Sequence, residues 1–463
     1  MADEVDVVVI GLGPGGEDAA GRLAEAGLSV AAVESRLVGG ECPYYACVPT
    51  KIMVRAAGLL TEGGRVPGMA GDATVRPDWA PVATRIRDEA TDSWDDKVAA
   101  DRLTGKGVRL LRGEGRITGP SEVTVNGQVL RAHRGIVLNT GTSPTAPPID
   151  GLADTPYWTN REAVQATETP ESLIVLGGGV VGAEMAQVFS RFDGRVTVVE
   201  AADRLLLNEE PESGALLREV FEREGIGVRT GVNVTAVTYE NGEFTLRLNG
   251  DADQDLSADR LLVATGRRPN LRGLGLAHVG LDENARQISV DGHMRAAEGV
   301  WAIGDITGMG QFTHVSMYQA AIAVRDILGE EGAPASYRAV PRVTFTDPEI
   351  ASVGLTEAQA RDQNLPVRVG TARLPESSRG FIHKVGNDGF IKLVENTEWG
   401  TLVGATAVGP SGGEILGFLS VAVHTETPTA ALREMIYAYP TFHRAIEAAL
   451  ADLAGTGGSG NGG

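Results

Sequence analysis

Cys42 and Cys47 are the residues of this sequence best suited to chemistry, and its 463 residues contain no other cysteine. Pro43 suits the first position of a helix, where its missing N–H costs nothing, so Cys42 is predicted at a helix N-terminus that stabilises a thiolate. Along a continuous helix, five residues rise roughly 7.5 Å, whereas a disulfide joins Cα atoms about 4.4–6.8 Å apart. The spacing therefore predicts a distorted turn and a reducible, redox-active disulfide.

Three other interpretations of the cysteine pair are weaker. Two buried cysteines acting as small hydrophobic residues would need no fixed spacing. A zinc site needs about four ligands, and this segment has no further cysteine and no histidine nearby. A structural disulfide fits poorly with a chain that opens without a secretory signal, because cytosolic disulfides are usually catalytic or transient.

A nucleotide-binding pattern precedes the cysteines. Residues 5–10 read as a buried parallel strand, and Gly11, Gly13 and Gly16 follow it with the GxGxxG spacing. In that pattern the glycines permit a tight turn, close approach of backbone to a pyrophosphate, and close helix–strand packing. A second strand, residues 28–33, ends in Glu34, where a carboxylate is placed to bind ribose hydroxyls.

The same pattern occurs a second time. Residues 173–176 run into Gly177, Gly179 and Gly182, and the strand 196–199 ends in Glu200. One such match in a chain with 61 glycines is weak evidence, but two, each with its acidic residue, are unlikely by chance. The sequence therefore predicts two bound dinucleotides with electrons passing between them.

With these motifs the sequence resembles the pyridine nucleotide–disulfide oxidoreductases, the flavoprotein family of dihydrolipoamide dehydrogenase, glutathione reductase and mercuric reductase. The resemblance runs over nearly the whole chain. Its further landmarks are Pro49-Thr50-Lys51, Asn139-Thr140-Gly141-Thr142-Ser143-Pro144, Ala264-Thr265-Gly266-Arg267-Arg268-Pro269-Asn270, Trp301-Ala302-Ile303-Gly304-Asp305 and the segment 345–356.

The resemblance implies an α/β fold with two Rossmann-like dinucleotide-binding domains, for FAD and NAD(P), and a C-terminal α+β dimerisation domain. The expected boundaries are 1–147 with 265–335 for the discontinuous FAD domain, 148–264 for the NAD(P) domain and 336–454 for the dimerisation domain. The glycine-rich residues 455–463 are expected to be disordered.

The resemblance also implies roles for individual residues. Cys47 would be the thiolate nearer the flavin, and Cys42 the interchange thiol that attacks an outside acceptor. Lys51 and Glu184 match the family's ion pair beside the flavin. The remaining flavin-binding positions implied are Thr140, Gly141, Gly266 and Asp305, the last of which would bind the ribityl chain.

The sequence departs from the family near its end. Family disulfide reductases carry His-Pro-Thr-x-x-Glu, whose histidine serves the partner subunit's thiols as acid and base, but this chain has Tyr439 and Arg444 at those two positions. Tyrosine, with a reference pKa near 10 against about 6.5 for histidine, is a poor proton shuttle at neutral pH. Either His443, one helical turn after Tyr439, substitutes, or the acceptor needs no such base.

The choice of nicotinamide follows from charge. A carboxylate at Glu200 would hydrogen-bond the free adenosine ribose and repel a 2′-phosphate. Arg204, four residues on, could in principle reach such a phosphate. The sequence favours NADH over NADPH.

Composition limits the partners. The formal charge of −20 argues against nucleic acid and anionic membrane surfaces, and nothing approaches the roughly 18 apolar residues of a membrane span. We expect a cytoplasmic homodimer, without a metal site, that acts on a small disulfide, dithiol or quinone-like substrate. The leading function is FAD-dependent electron transfer from NADH through the Cys42–Cys47 pair. The alternatives are a quinone or metal-ion reductase and, least favoured, an inactive accessory subunit.

Overall fold

The computed structural model describes residues 2–249 and 255–455. Apart from Gly455, the predicted disordered tail lies outside these residues. The described chain forms mixed helices and sheets, and the predicted α/β class is confirmed. The proposed domain boundaries stay predictions.

The first large sheet is built around the N-terminal strand Asp3–Ile10. This strand runs parallel to both of its neighbours, Val30–Glu34 and Gln128–Leu138. Its last four residues are buried, as is all of Val30–Glu34, which explains their continuous apolar sequence. In spatial order the strands of the main path are Arg295–Ala297, Val300–Ala302, Gln128–Leu138, Asp3–Ile10, Val30–Glu34 and Arg109–Arg112.

The sheet thus combines strands from distant parts of the chain, since Val300–Ala302 pairs in parallel with Gln128–Leu138. An antiparallel extension, Gly115–Gly119 with Glu122–Val125, joins the same strand. Helices Pro14–Glu25 and Thr313–Leu328 pack against each other beside this sheet. Two helices about 300 residues apart in the sequence are therefore neighbours in the fold.

The second parallel sheet lies in the middle of the chain. Its strands, in spatial order, are Gly227–Thr230, Arg195–Glu200, Ser172–Leu176 and Arg260–Val263. Strands Asn233–Glu240, Glu243–Asn249 and Leu256–Ala258 form an antiparallel sheet beside it. Two short strands, Thr142–Pro144 and Arg267–Pro269, pair where the chain leaves and re-enters the first part of the fold.

The C-terminal part contains an antiparallel sheet. Its strands, in spatial order, are Pro341–Thr344, Glu349–Gly354, Thr401–Gly409, Phe390–Asn396 and Val367–Arg373. Helix Gly412–His424 packs on its central strands, and helix Ala445–Leu453 packs on Val367–Arg373. Buried side chains from these elements form a separate apolar core.

The α-helices connect and cover these sheets. Their bounds are Pro14–Glu25, Glu41–Tyr44, Cys47–Gly64, Ala80–Arg85, Lys97–Gly105, Asn160–Gln165, Val180–Arg191, Pro211–Arg223, Thr313–Leu328, Glu357–Asp362, Ser378–His383, Gly412–His424, Thr429–Arg433 and Ala445–Leu453. Within residues 2–249 and 255–455, no helix is both long and apolar enough to cross a membrane.

Candidate active site

The cysteine segment is a helix broken between its two cysteines. The short helix Glu41–Tyr44 is capped by Tyr45, and the long helix Cys47–Gly64 begins two residues after that cap. Ala46, between them, has φ −133° and ψ −107°, far from helical values. The predicted distorted turn is therefore present.

One detail of that prediction is wrong. Pro43 is the third residue of the short helix rather than the first, and the long helix begins at Cys47 rather than at Cys42. Tyr44, just before the break, is buried, and its hydroxyl donates to the Val38 carbonyl at 3.1 Å. Because the long helix begins at Cys47, the larger helix dipole acts on Cys47.

The two thiols are free and interact with each other. The hydrogen bond from the Cys42 thiol is the main cause that lowers the pKa of Cys47 to about 6, against the opposing effect of burial. Thr313, whose Oγ1 lies 3.5 Å from Cys47 Sγ, and the charge of Lys51 lower this pKa further. The same hydrogen bond and burial raise the pKa of Cys42. The dithiol thus places its anion on Cys47 and its proton on Cys42.

Lys51 and Glu184 form an ion pair between two helices. The Lys51 Nζ donates to Glu184 Oε2 at 2.6 Å, and the Glu184 side chain is only 3% exposed. The other carboxylate oxygen accepts from the Phe345 backbone N–H at 2.9 Å, and Lys51 Nζ lies 4.7 Å from the centre of the Phe345 ring. The predicted partners are together, and a C-terminal residue completes their surroundings.

The first glycine motif fits a dinucleotide. A Cβ on Gly16 would lie 2.0 Å from the Gly11 carbonyl oxygen, so only glycine permits this approach of helix to strand. Gly13 precedes the first residue of helix Pro14–Glu25, whose N-terminus can face a pyrophosphate. Glu34 is buried and accepts from the Leu12 backbone N–H at 2.7 Å, which fixes the carboxylate beside the glycine turn.

A buried amide holds the ends of this site together. Asn139 Oδ1 accepts from the Gly16 N–H at 2.8 Å, and its Nδ2 donates to the Ile303 carbonyl at 3.0 Å. Gln319 Oε1 accepts from the Gly304 N–H at 2.6 Å. Neither amide was assigned a cofactor-binding role from the sequence, because their partners lie on separate parts of the chain.

The other predicted flavin-binding residues lie around the crossing between the two sheets. Thr140 Oγ1 donates to the Asn270 carbonyl at 2.8 Å, and Gly141 accepts from the Asn270 N–H. Gly266 accepts from the Thr145 N–H on the adjacent segment.

Asp305 is tied to the same crossing. It accepts from the Thr142 hydroxyl at 2.7 Å, and burial raises the pKa of its carboxyl group. Arg267 Nε donates to that same hydroxyl at 2.7 Å. The carboxylate therefore stands at the edge of the first sheet, where a ribityl hydroxyl could be bound.

The second glycine motif repeats the first. A Cβ on Gly182 would lie 1.9 Å from the Gly177 carbonyl oxygen, and Gly179 precedes helix Val180–Arg191. Glu200 Oε2 accepts from the Gly178 N–H at 2.6 Å, just as Glu34 accepts from Leu12. The chain thus presents two sites of the same construction.

Arg204, the cation considered for a 2′-phosphate, is hydrogen-bonded to backbone a few residues further along the chain. Its guanidinium donates to the Leu207 carbonyl at 2.9 Å and to the Glu209 carbonyl at 3.2 Å. These two hydrogen bonds hold the Arg204 guanidinium at backbone carbonyls instead of at a 2′-phosphate.

The C-terminal segment differs from one expectation. Tyr439 and His443 do not share a helical turn, because the helix of this region begins at Ala445. The Tyr439 side chain is 64% exposed, and the Arg444 guanidinium lies 5.1 Å from the centre of its ring. His443 Nδ1 lies 3.0 Å from Thr441 Oγ1 and thus interacts within its own loop. The expected shared helical turn of Tyr439 and His443 is wrong, and a role of His443 as the missing base stays a prediction.

Residues 160 and 161 were missed by sequence reasoning. Asn160 Nδ2 donates to the carbonyl of Tyr45 at 2.8 Å, and Arg161 Nε donates to Glu41 Oε1 at 2.8 Å. The charged residue Glu41, directly before Cys42, could have drawn attention in the sequence. Its partner Arg161 lies 120 positions away and could not be identified from it. In residues 2–249 and 255–455, no group of three or more His, Cys, Asp or Glu side chains is arranged to hold a metal ion.

Comparison with known proteins agrees with this geometry. Residues 5–323 match the family described as pyridine nucleotide-disulphide oxidoreductase, and residues 340–450 match the dimerisation domain of that family. The chain is 35% identical over 458 residues to a dihydrolipoyl dehydrogenase of Thermus scotoductus, which covers 95% of each chain. It is also 35% identical over 451 residues to a mercuric reductase of Shewanella putrefaciens, which covers 94% of this chain and 78% of the relative.

Solved structures with the same fold include two proteins. LpdA from Mycobacterium tuberculosis has a TM-score of 0.85 and 26% identity, covering 97% of this chain and all of its own. The HOCl-induced flavoprotein disulfide reductase RclA from Escherichia coli has a TM-score of 0.84 and 25% identity, covering 96% of this chain and 99% of its own.

The fold and the paired nucleotide sites define a two-dinucleotide flavoprotein oxidoreductase. The chain belongs to the pyridine nucleotide-disulphide oxidoreductase family. It is an enzyme that uses FAD and NAD(P)H and acts on a sulfur group. The activities named for its relatives and the presence of the cysteine pair both support this assignment. The predictions of family, enzyme class and cofactors are confirmed.

Proposed function

We propose that this enzyme is an NADH-dependent disulfide reductase, or dithiol oxidoreductase in reverse, whose Cys42 exchanges with a small-molecule acceptor. One observation carries the proposal. Cys47 begins the long helix Cys47–Gly64 with its sulfur 3.5 Å from Thr313 Oγ1, whereas Cys42 lies in the short helix before the break. The pKa of Cys47 is lowered, chiefly by the Cys42 thiol, and the pKa of Cys42 is raised. This asymmetry gives the two sulfurs different tasks.

Electron transfer to the acceptor can be followed at the two sulfurs. FAD, held at the first glycine motif, would supply the two electrons that open the Cys42–Cys47 disulfide. The Cys42 proton passes to the Cys47 thiolate, and the Cys42 thiolate attacks one acceptor sulfur. The acceptor S–S bond breaks, and the departing thiolate takes a proton from solvent. Cys47 then attacks Cys42 in the mixed disulfide, and the proton of Cys47 passes to the second departing acceptor thiolate. The protein disulfide is restored and the acceptor has gained two electrons.

Lys51 and Glu184 support this chemistry. The Lys51 ammonium stabilises the Cys47 thiolate, and the buried Glu184 carboxylate fixes the ammonium. Because Glu184 lies on helix Val180–Arg191, the pair connects the cysteine helix to the helix that follows the second glycine motif.

Glu200 supports the preference for NADH. Its carboxylate is held at the end of strand Arg195–Glu200 by the backbone N–H groups of Gly178 and Ala202, at 2.6 and 2.7 Å. A carboxylate there accepts from ribose hydroxyls and repels a 2′-phosphate. Arg204, turned to backbone carbonyls, offers that phosphate no compensation.

A homodimer would complete the site. The dimerisation domain leaves apolar side chains exposed, including Ile436 at 99% and Val421 at 61%, in the part of the chain that carries Tyr439. By the family resemblance, Tyr439 of the partner subunit would stand beside Cys42. There the phenol hydroxyl would offer a hydrogen bond, with the Arg444 guanidinium 5.1 Å from the centre of its ring.

Tyr439 and Arg444 stand where the family has histidine and glutamate, and this replacement favours a second candidate function, the reduction of a quinone or a metal ion. A quinone or a metal ion as acceptor would not require that base. Mercuric reductases are among the relatives, and RclA has been solved as a Cu(II) complex. This chain could then pass electrons to such an acceptor through the flavin or through the dithiol.

Anaerobic titration of the purified flavoprotein with NADH tests the proposal. A long-wavelength thiolate–flavin band after two electrons is the expected result, and it should be followed by turnover of a disulfide panel that Cys42→Ser abolishes. Direct bleaching of the flavin without that band would overturn the proposal. Persistence of quinone or metal-ion reduction in Cys42→Ser would support the second function instead.

A further inference from the structure

We propose that helix Asn160–Gln165 is a clamp that holds the break between Cys42 and Cys47 and thereby sets the stability of their disulfide. This inference rests on the proposed function of the cysteine pair. It assigns Asn160, Arg161 and Glu41 as positioning residues of the redox turn.

The hydrogen bond of Asn160 is the centre of the clamp. Its side chain is largely buried, and Nδ2 donates at 2.8 Å to the carbonyl of Tyr45, the residue that caps the short helix. In a continuous helix that carbonyl would face residue 49, which is Pro49 and has no N–H to donate. The amide of Asn160 therefore satisfies a carbonyl for which the helix itself offers no donor.

Arg161 adds two contacts to the same segment. Its Nε donates to Glu41 Oε1 at 2.8 Å, and its guanidinium carbon lies 5.2 Å from the centre of the Tyr45 ring. Arg161 and Glu41 are each only about a quarter exposed, at 27% and 23%. A planar guanidinium that both pairs with a carboxylate and stacks on an aromatic ring is held in one orientation.

The clamp is firmly attached to its own part of the chain. Thr159 caps the helix, its hydroxyl oxygen accepting from the Arg161 N–H at 3.2 Å, while its own N–H donates to Glu162 at 2.7 Å. The Trp158 N–H donates to the Leu261 carbonyl of the second parallel sheet at 2.7 Å. The cysteine turn is thus fixed to the region that carries the second nucleotide site.

The geometry gives the direction of the effect. Without the clamp, residues 43–46 sample more conformations, most of which do not bring the two sulfurs to bonding distance, so ring closure costs more conformational entropy. Formation of the disulfide then becomes less favourable, and the equilibrium shifts toward the dithiol. The clamp therefore stabilises the oxidised form relative to the reduced form.

Equilibration of the holoenzyme with mixtures of glutathione and glutathione disulfide measures this stability. Each exchange converts two protein thiols and one glutathione disulfide into one protein disulfide and two glutathiones. Thiol counting by alkylation and mass spectrometry gives the equilibrium constant without NADH. For Asn160→Ala we expect that constant to fall about tenfold, which corresponds to a potential about 30 mV less negative.

Arg161→Gln is the second variant, because Arg161 is more exposed than the buried Asn160 and its replacement disturbs the fold less. We expect a shift in the same direction of at least threefold, with Arg161→Lys shifting less because it keeps the charge. Arg85→Gln, which breaks an exposed arginine–glutamate pair elsewhere, is the matched control and should leave the constant unchanged.

Constants within twofold of the wild type in both folded variants, judged by FAD content and thermal unfolding, would overturn the clamp. A wild-type protein that forms no Cys42–Cys47 disulfide in any of the mixtures would instead overturn the proposed function itself. The two failures are therefore distinguishable.

Discussion

Lys51 Nζ lies 2.6 Å from Oε2 of Glu184, and this contact joins helix Cys47–Gly64 to helix Val180–Arg191. The charge of Lys51 also lowers the pKa of Cys47. One buried carboxylate thus fixes the cation that acts on the redox sulfur.

Replacing Lys51 by methionine should raise the pKa of Cys47 above its value of about 6, because a nearby cation favours the thiolate. In a pH titration of the two-electron-reduced enzyme, the long-wavelength band should appear at higher pH than in the wild type. The rate of reduction by NADH should fall about tenfold to 10²-fold as the site loses its fixed geometry. Lys97→Met, at an exposed pair, is the control; an unchanged midpoint in Lys51→Met would contradict the role.

The hydrogen bond from Cys42 can be tested separately from its redox role. Cys42→Ser keeps a donor to Cys47, whereas Cys42→Ala removes it. Since this hydrogen bond is the main cause of the lowered pKa of Cys47, the thiolate midpoint should be higher in the alanine variant than in the serine variant. Absorbance of the thiolate near 240 nm or the flavin band against pH measures both. Identical midpoints would show that the Cys42 thiol is not the donor.

Substitutions in the two glycine motifs should each abolish the binding of one nucleotide and leave the binding of the other intact. Gly16→Ala places a Cβ 2.0 Å from Gly11 O and should abolish FAD binding. Gly182→Ala places one 1.9 Å from Gly177 O and should leave FAD bound while preventing reduction by NADH. Gly58→Ala, where no atom lies within 4 Å of the added Cβ, is the control. Flavin absorbance and stopped-flow reduction distinguish the outcomes, and loss of FAD from Gly182→Ala would refute the assignment.

Glu200→Ala should lower kcat/KM for NADH about tenfold or more, because hydrogen bonds to a charged group contribute about 1.5–3 kcal/mol. The ratio of NADPH to NADH turnover should rise, since the repulsion of a 2′-phosphate is gone. Arg204→Ala should leave that ratio unchanged, because its guanidinium is bound to backbone carbonyls. A wild-type kcat/KM tenfold higher for NADPH would contradict this interpretation of Glu200.

The Tyr439–Arg444 pair predicts weak activity with lipoamide and glutathione disulfide. Lipoamide turnover on the order of 10² s⁻¹ or above by the wild type would contradict it. Tyr439→His with Arg444→Glu restores the family pattern and should raise lipoamide turnover about 10²-fold, the usual contribution of a positioned acid–base group. Tyr439→Phe, which lacks the hydroxyl, separates the effect of a new base from loss of the phenol.

The sequence by itself determined the local elements. Apolar runs ending in Glu34 and Glu200 predicted the strands observed at Val30–Glu34 and Arg195–Glu200, because a strand buried on both faces has a continuous apolar sequence. The glycine spacing predicted the turns that follow, since any side chain at Gly16 or Gly182 would collide with backbone. The cysteine spacing predicted a broken helix.

The tertiary structure decided what those elements meet. Asn160 and Arg161 reach the cysteine turn across more than a hundred positions, and nothing in their own neighbourhood of the sequence indicates a partner. His443 was placed on a helix with Tyr439 by spacing alone, but the helix starts only at Ala445. Side-chain contacts between distant segments depend on how sheets and helices pack, and a local pattern carries no record of that packing.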